Sequence, residues 1–368
     1  MKSPDNSLTD FAARLRRQML ERALIPDPMF ESLALELYRG QFAANGPYRR
    51  IAEARGARPE AVHRWQDIPA VPTIAFKDLD VSCLPAWEQT AVFHSSGTTS
   101  HRPSRHFHHP GSLHLYETSA LTWFTEKVLN PDKGIAKPGS GDWSLAILTP
   151  PPLQAPHSSL VHMFECVRDG FGAPASAFLG ALDPAGAWVL ELDATTATLQ
   201  TSARSGVPLL LLGTAFSLVH LLDHLAARNL CFELPDGSRV METGGYKGRS
   251  RALPQAELHA LISRRLGIPA GRIRREYGMS ELSSQAYDRA GDGIFELPPW
   301  ARARVISPET GADVAEGEPG WLRVYDLANT FSVLAVQTED LAIRRRTGFE
   351  LIGRAEAAEA RGCSLAAA

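Results

Sequence analysis

The stretch Arg272-Ile273-Arg274-Arg275-Glu276-Tyr277-Gly278-Met279-Ser280-Glu281 decides the fold class. Arg272 to Tyr277 reads as a strand, and Gly278 opens a turn at its C-terminal end. Ligands of open α/β sheets collect at such ends. Tyr277 offers a ring that can stack on a base, Ser280 a hydroxyl for a phosphate, and Glu281 a hard oxygen ligand for Mg²⁺. Taken without its neighbours, the segment also reads as a strand, a Gly turn and a helix N-cap, with Glu281 near the first helical turn.

Outward from this stretch the texture is consistent. From about Ile68, short apolar runs alternate with Gly, Pro and Ser clusters and with helical stretches, the rhythm of an α/β fold. Thr90 to His94 reads as a short strand feeding a Ser/Gly/Thr loop. Ser144 to Leu148 is a buried strand stopped by Pro150, Pro151 and Pro152. Pro208 to Leu212 is another, leading into an apolar helix over residues 215–228 with Phe216, Val219, Leu222 and Leu225 at helical spacing. Arg239 to Glu242 is a strand, and Trp321 to Leu327 a late one with period-2 alternation. Ahead of all this, residues 7 to about 65 are helical in pattern: Leu8, Phe11, Leu15 and Leu20 fall near one face, and Phe30, Leu33, Leu35, Leu37 and Tyr38 continue the stripe beyond Pro26 and Pro28. The expected division is a helical N-terminal segment (1–67) packed on the main domain, a main domain (68–354) and a short Ala-rich tail (355–368).

The chain has 368 residues, 44% hydrophobic and 21% charged, the balance of a soluble protein with a core. Its net charge of -3 lacks the basic excess of a nucleic-acid binder. The basic runs Arg272 to Arg275 and Arg344 to Arg346 read as solvated faces. No apolar run is long enough to span a membrane and no signal peptide is visible. Cys83, Cys166, Cys231 and Cys363 form no CxxC pair and read as free thiols of a reducing, cytoplasmic compartment.

Five further features carry chemistry. Ser95-Ser96-Gly97-Thr98-Thr99-Ser100, with Arg102 and Arg105 after it, can cradle phosphate through backbone N–H groups and hydroxyls, although the Walker pattern is absent. Glu242-Thr243-Gly244-Gly245 permits close backbone approach to a flat ligand. In Thr338-Glu339-Asp340 a carboxylate at a strand end can hold ribose hydroxyls, and Gly353-Arg354 lies just beyond. His157 follows a proline-rich strand end where a substrate pocket would open. Each also reads as an ordinary turn or loop. His101, His106, His108 and His109 have no carboxylate or Cys at tight spacing and read as something other than a metal cluster. His220 and His224 read as structural.

The order of these features is that of the adenylate-forming superfamily, which includes acyl-CoA synthetases, firefly-type luciferases and peptide-synthetase adenylation domains. The resemblance runs from about Ile68 to Arg354. Finer detail in His94 to Thr99, Pro156-His157-Ser158-Ser159-Leu160, Glu242 to Gly245, Tyr277 to Gln285 and Arg361-Gly362-Cys363-Ser364-Leu365 resembles the acyl-protein synthetases of bacterial bioluminescence operons. The resemblance implies a large α/β domain of packed β-sheets with flanking helices, and the use of ATP and Mg²⁺. It implies that Ser95, Ser96, Gly97, Thr98 and Thr99 grip the β- and γ-phosphates, that Gly244, Gly245 and Tyr277 frame adenine, and that Gly278 belongs to the same nucleotide-binding set. Ser280 would bond the α-phosphate, Glu281 would ligate Mg²⁺, Asp340 would hold the ribose, and Arg354 would mark the hinge to a small C-terminal domain.

Two departures stand out. Ser100 and His101-Arg102 occupy positions where the superfamily often has Gly and a Lys soon after, which leaves Arg102 or Arg105 to replace that lysine. Only 14 residues follow Arg354, where typical members carry a further domain of about 100 residues or more; the acyl-protein synthetases are similarly short. In that family a cysteine near the C-terminus carries the acyl group as a thioester and passes it to a partner reductase, and Cys363 matches its position. Three readings follow. The first is an acyl-protein synthetase that charges Cys363 with a carboxylic acid. The second is a stand-alone ligase that passes an aromatic acid to an amine, CoA or a carrier thiol. The third is a nucleotide-binding protein without turnover.

Overall fold

A computed structural model describes residues 4–95, 102–129, 143–244, 253–289 and 292–354. The chain begins with three helices, α1 (Pro4–Leu20), α2 (Asp27–Ala44) and α3 (Gly46–Ala54). Strand β1 (Val71–Pro72) and the short helix α4 (Ala75–Asp78) lead to the hairpin β2 (Ala91–His94) and β3 (Arg105–His108). Helix α5 (Pro110–Phe124), strand β4 (Ser144–Ile147) and helix α6 (Ser159–Phe171) follow, then β5 (Ala177–Phe178), β6 (Gly180–Leu182) and β7 (Trp188–Leu190). Next come α7 (Leu192–Ser205), β8 (Leu209–Thr214), α8 (Ala215–Ala227), β9 (Arg239–Thr243), α9 (Gln255–Leu266) and β10 (Ile273–Tyr277). The remainder is strand: β11 (Ala286–Asp288), β12 (Ile294–Glu296), β13 (Ala301–Ile306), β14 (Pro319–Asp326), β15 (Ala335–Arg345) and β16 (Gly348–Arg354).

One sheet runs β13-β14-β15-β16-β12-β11-β10-β9-β8-β4-β5 among the described residues, with β1 also pairing β15. The strands β5, β4, β8, β9 and β10 are parallel, and every pair from β10 to β13 is antiparallel. Strands β4 and β8 are mainly apolar runs buried on both faces, as helix-covered parallel strands are, whereas β9 is buried throughout but carries Arg239, Glu242 and Thr243. Their side chains alternate between two cores. Leu145, Ile147, Leu210, Leu212 and Met241 join α1, α2, α3, α5 and α6, whereas Ala146, Leu148, Leu209, Leu211 and Val240 join α7, α8 and α9.

Structure and expectation differ at four places. The buried face of α1 is Leu8, Phe11, Leu15 and Met19, while Leu20 is exposed, because residue 19 lies four positions beyond Leu15 and keeps the helical period. No helix follows Glu281; residues 278–285 turn directly into β11, which returns antiparallel on β10. Asp340 lies inside β15 rather than at its end, since the inward alternation of Ala342, Asp340 and Thr338 continues through the acidic stretch. Arg274 is buried rather than solvated, donating to the carbonyls of Lys127, Gly271 and Ile273.

Candidate active site

The C-terminal ends of β9 and β10 lie side by side. The parallel register puts Thr243 beside Glu276, so Gly244 follows next to Tyr277. Gly244 takes φ +68°, a left-handed conformation that favours glycine and lets the chain leave the strand sharply. Glu276 is buried and accepts a short hydrogen bond from the Thr243 hydroxyl. Gly278 is required for a different reason: a Cβ there would collide with Glu276 Oε1.

Beyond Gly278 the turn presents Ser280 and Glu281, both buried, with the Ser280 hydroxyl donating to Glu281 Oε2 at 3.0 Å. No described residue donates to Glu281 Oε1. A carboxylate oxyanion steadied on one oxygen and unengaged on the other fits a hard divalent cation such as Mg²⁺. The turn is fixed from outside. His106 Nδ1–H donates to the Ser280 carbonyl at 2.8 Å, and Asn329 Nδ2 donates to the Glu281 carbonyl at 3.0 Å. Burial lowers the His106 pKa to about 4, the bond to Ser280 opposing part of that shift, so near neutral pH the ring is neutral with its proton on Nδ1. Just downstream, Asp326 receives the N–H groups of Ser283 and Ser284 and the Ser284 hydroxyl at 3.0, 2.8 and 2.8 Å.

Tyr277, Asp340 and Arg354 meet although they come from three strands. The Tyr277 hydroxyl donates to Asp340 Oδ2 at 2.8 Å, and Arg354 Nε donates to Asp340 Oδ1 at 3.1 Å. Asp340 and Arg354 are register partners across β15 and β16. The Tyr277 ring is largely buried, edge-on to Phe295 and Phe349.

Ser95 closes the stem of the β2–β3 hairpin: its N–H donates to the Ser104 carbonyl, and its Oγ accepts from the Ser104 N–H at 3.0 Å. His106 on β3 is the link from this stem to Ser280. Ser96, Gly97, Thr98, Thr99, Gly245 and Cys363 lie outside the described residues. His157 is exposed and belongs to the hairpin rather than to the Ser280 turn. Its carbonyl accepts from the His94 N–H, its Nδ1 lies 3.2 Å from the Val92 carbonyl oxygen, and its ring packs 4.5 Å from that of His94. Arg105 pairs with Asp80 at 2.9 Å and lies over the Phe107 ring. His108 packs against His106 and reaches Ser112, and His109 caps α5, so these three histidines make structural bonds, while His101 lies outside the described residues. His106, Glu276, Asp326 and Asn329 were not singled out as site residues by sequence reasoning. Their partners are long-range and leave no local spacing, although His106 stands in the hairpin's inward register.

The family model described as acyl-protein synthetase, LuxE, matches residues 173–368. The chain is similar to the long-chain-fatty-acid–luciferin-component ligase of Vibrio harveyi, 22% identical over 342 residues, 89% of this chain and 84% of that one. It is also similar to the protein of that name from Aliivibrio fischeri, 24% identical over 190 residues, 49% of this chain and 50% of that one. The latter match spans about half the length of that relative. In fold the chain is similar to 2-hydroxyisobutyryl-CoA ligase in an open conformation with 2-HIB-AMP and CoA, with TM-score 0.65, 14% identity, and 90% of this chain and 71% of that one covered. The same ligase in its thioesterification state gives TM-score 0.66 at 16% identity, over 90% of this chain and 70% of that one. The expected adenylate-forming α/β architecture is therefore the one observed. With the family match extending over more than half of its residues, the chain belongs to the acyl-protein synthetase family, LuxE.

Proposed function

We propose that the protein activates a carboxylic acid with ATP, releasing pyrophosphate, and passes the acyl group to a thiol. The observation that carries this is the convergence of Tyr277, Asp340 and Arg354 with the Ser280–Glu281 turn at the C-terminal ends of the parallel strands. A substrate carboxylate oxygen attacks the α-phosphorus, the bond to the β-phosphate breaks, and pyrophosphate leaves. Negative charge grows on the phosphoryl oxygens, so fixed donors and a cation supply most of the stabilisation. Mg²⁺ held by Glu281 would neutralise that charge. The Ser280 hydroxyl turns from Glu281 to donate toward the α-phosphate once the nucleotide binds, Asp340 accepts from the ribose, and the loop from Ser95 to Thr99 holds the β- and γ-phosphates, with Gly244 and Gly245 beside the base. His157 orients the acid at the hairpin stem.

A thiolate then attacks the acyl carbonyl and AMP leaves. Cys363 is the proposed acceptor: a free thiol of pKa about 8.5 is only a few per cent ionised at pH 7 yet strongly nucleophilic. The acyl group then passes to a partner such as a reductase. The names of the relatives support a long-chain fatty acid as substrate. We assign residues 1–67 and 68–354 to one catalytic unit and 355–368 to an acyl-carrying tail, working in the cytoplasm. No helix among the described residues is long and apolar enough to cross a membrane.

The test is acid-dependent pyrophosphate exchange with ATP, Mg²⁺ and a panel of fatty and aromatic acids. Exchange is expected with a fatty acid, and its absence with every acid would refute the reading. Mass spectrometry should show an acyl adduct that disappears in Cys363→Ser. An adduct that persists there would place the thioester elsewhere. Glu281→Ala should reduce exchange by roughly 100-fold or more, the scale of losing one preorganised charge-stabilising group.

A further inference from the structure

Helices α5 and α6 bring together three side chains that the activity above does not use. Glu117 projects from α5. His162 and Cys166 stand four residues apart on α6 and so lie on one face of that helix. His162 Nε2 is 3.1 Å from Glu117 Oε1, and one ligand atom from each of Glu117, His162 and Cys166 lies within 4.8 Å of the others. All three are half-buried. One wall is apolar: the rings of Phe93 and Tyr116 lie 5.4 and 5.7 Å from that of His162.

The donor set is selective. A carboxylate, an imidazole and a thiol match the ligands of zinc, whereas Mg²⁺ and Ca²⁺ take oxygen. Bond lengths of about 2.0–2.3 Å put tetrahedral zinc ligands roughly 3.3–3.8 Å apart, so the cluster needs to close by about 1 Å, within reach of side-chain torsions. The surrounding field is anionic. Glu165 and Asp169 flank Cys166, and with burial as the larger cause they and Glu117 push the thiol pKa up. Arg168 pairs with Glu165 and Asp169 and offsets that field in part.

We propose that Glu117, His162 and Cys166 form a site for a thiophilic divalent cation of the zinc class, with a fourth position open to water. Binding releases the Cys166 proton and joins α5 to α6. The first of these helices bears Ser119, which bonds Ser284, and the second begins directly after His157 and Ser158. The cation therefore braces the two helices that flank the Ser280–Gln285 turn and the hairpin stem, without touching the nucleotide.

The test uses the full chain stripped of metal by chelation, with no nucleotide present and Mg²⁺ in excess. Titration with Co²⁺ should give a saturable thiolate-to-cobalt charge-transfer band with tetrahedral visible bands. Zn²⁺ should displace it and raise the melting temperature. Cys166→Ser should abolish the band while the far-ultraviolet circular dichroism stays unchanged. Glu117→Gln should weaken Co²⁺ at least about tenfold, the loss typical even of outer-shell partners. A wild-type chain with no saturable band, or a band of full strength in Cys166→Ser, overturns the site. Pyrophosphate exchange by the metal-free protein keeps this outcome separate from that of the activity.

Discussion

Glu276 is sealed beneath the site edge, and burial raises its carboxyl from 4.5 to about 7, the Thr243 hydrogen bond opposing only part of the shift. A folded-state pKa above the unfolded one means that the native protein holds the extra proton. Its contribution is complete below about 4.5 and is lost as pH rises through about 7. Glu276→Gln keeps the shape and removes the titration. It should therefore gain stability relative to wild type between pH 5 and 8, by up to roughly 3 kcal/mol, in denaturant unfolding at each pH. A constant difference across that range would exclude Glu276 as the titrating group. Gly278→Ala tests the same contact sterically. Gly278 is itself exposed, but its added Cβ would meet Oε1 of the buried Glu276, so a loss of roughly 1–3 kcal/mol is expected, and less in the background of Glu276→Ala. At Asp340 both carboxylate oxygens already accept bonds. Asp340→Ala should raise the KM for ATP about tenfold or more while far-ultraviolet circular dichroism stays native, and an unchanged KM would remove Asp340 from ribose binding.

At the scale of elements, the C-terminal end of α2 is a polar joint inside an apolar contact. Gln41 is fully buried, donates to the carbonyls of Asn329 and Thr330, and accepts from the Leu334 N–H at 2.9 Å. Asn45 caps α3 through its Oδ1 and donates to the Ser332 carbonyl. Gln41→Ala strands the Thr330 carbonyl and the Leu334 N–H away from water, the Asn329 carbonyl keeping the Ser332 N–H, and should cost roughly 2–4 kcal/mol by urea unfolding, whereas a cost below about 0.5 kcal/mol would mean that water replaces the side chain. Most elements around this joint were legible. The buried parallel strands and the apolar face of α8 announce themselves because burial imposes a period on consecutive residues. The order of Ser95, Gly244, Tyr277–Glu281, Asp340 and Arg354 carried meaning only through its resemblance to a known family, since each motif alone also reads as an ordinary turn. Less was visible where partners lie far apart in sequence: His106 with Ser280, Asp326 with Ser283 and Ser284, and the Gln41 joint. Asp340 was misplaced to a strand end because Thr-Glu-Asp has the composition of a turn, while the pairing of β15 with β16 that carries the strand onward is non-local.

For the whole molecule, the proposed unity of residues 1–67 with the main domain rests on one core. Leu8, Phe11, Leu15, Phe30 and Leu37 belong to the same apolar cluster as Tyr277, Tyr325 and Leu334. A chain starting at Ile68 would expose that face of the sheet and should be insoluble or lack a cooperative melting transition. A soluble, cooperatively melting truncate would make the helices a separate unit. The joint at Gln41 also fixes when the molecule can finish folding. The bond from Gln41 to Asn329 spans 288 residues, and at synthesis rates of about 5–20 residues per second its two ends emerge roughly 15–60 s apart. The pairing of β1 with β15 imposes a similar wait. The helices made first thus leave the ribosome with an uncovered apolar stripe and unsatisfied amides, and remain so until nearly the last strand is available. Such a chain relies on holding chaperones during translation, and ribosome-stalled chains ending before Leu334 should be cleaved by protease within α1 and α2, where the released protein resists.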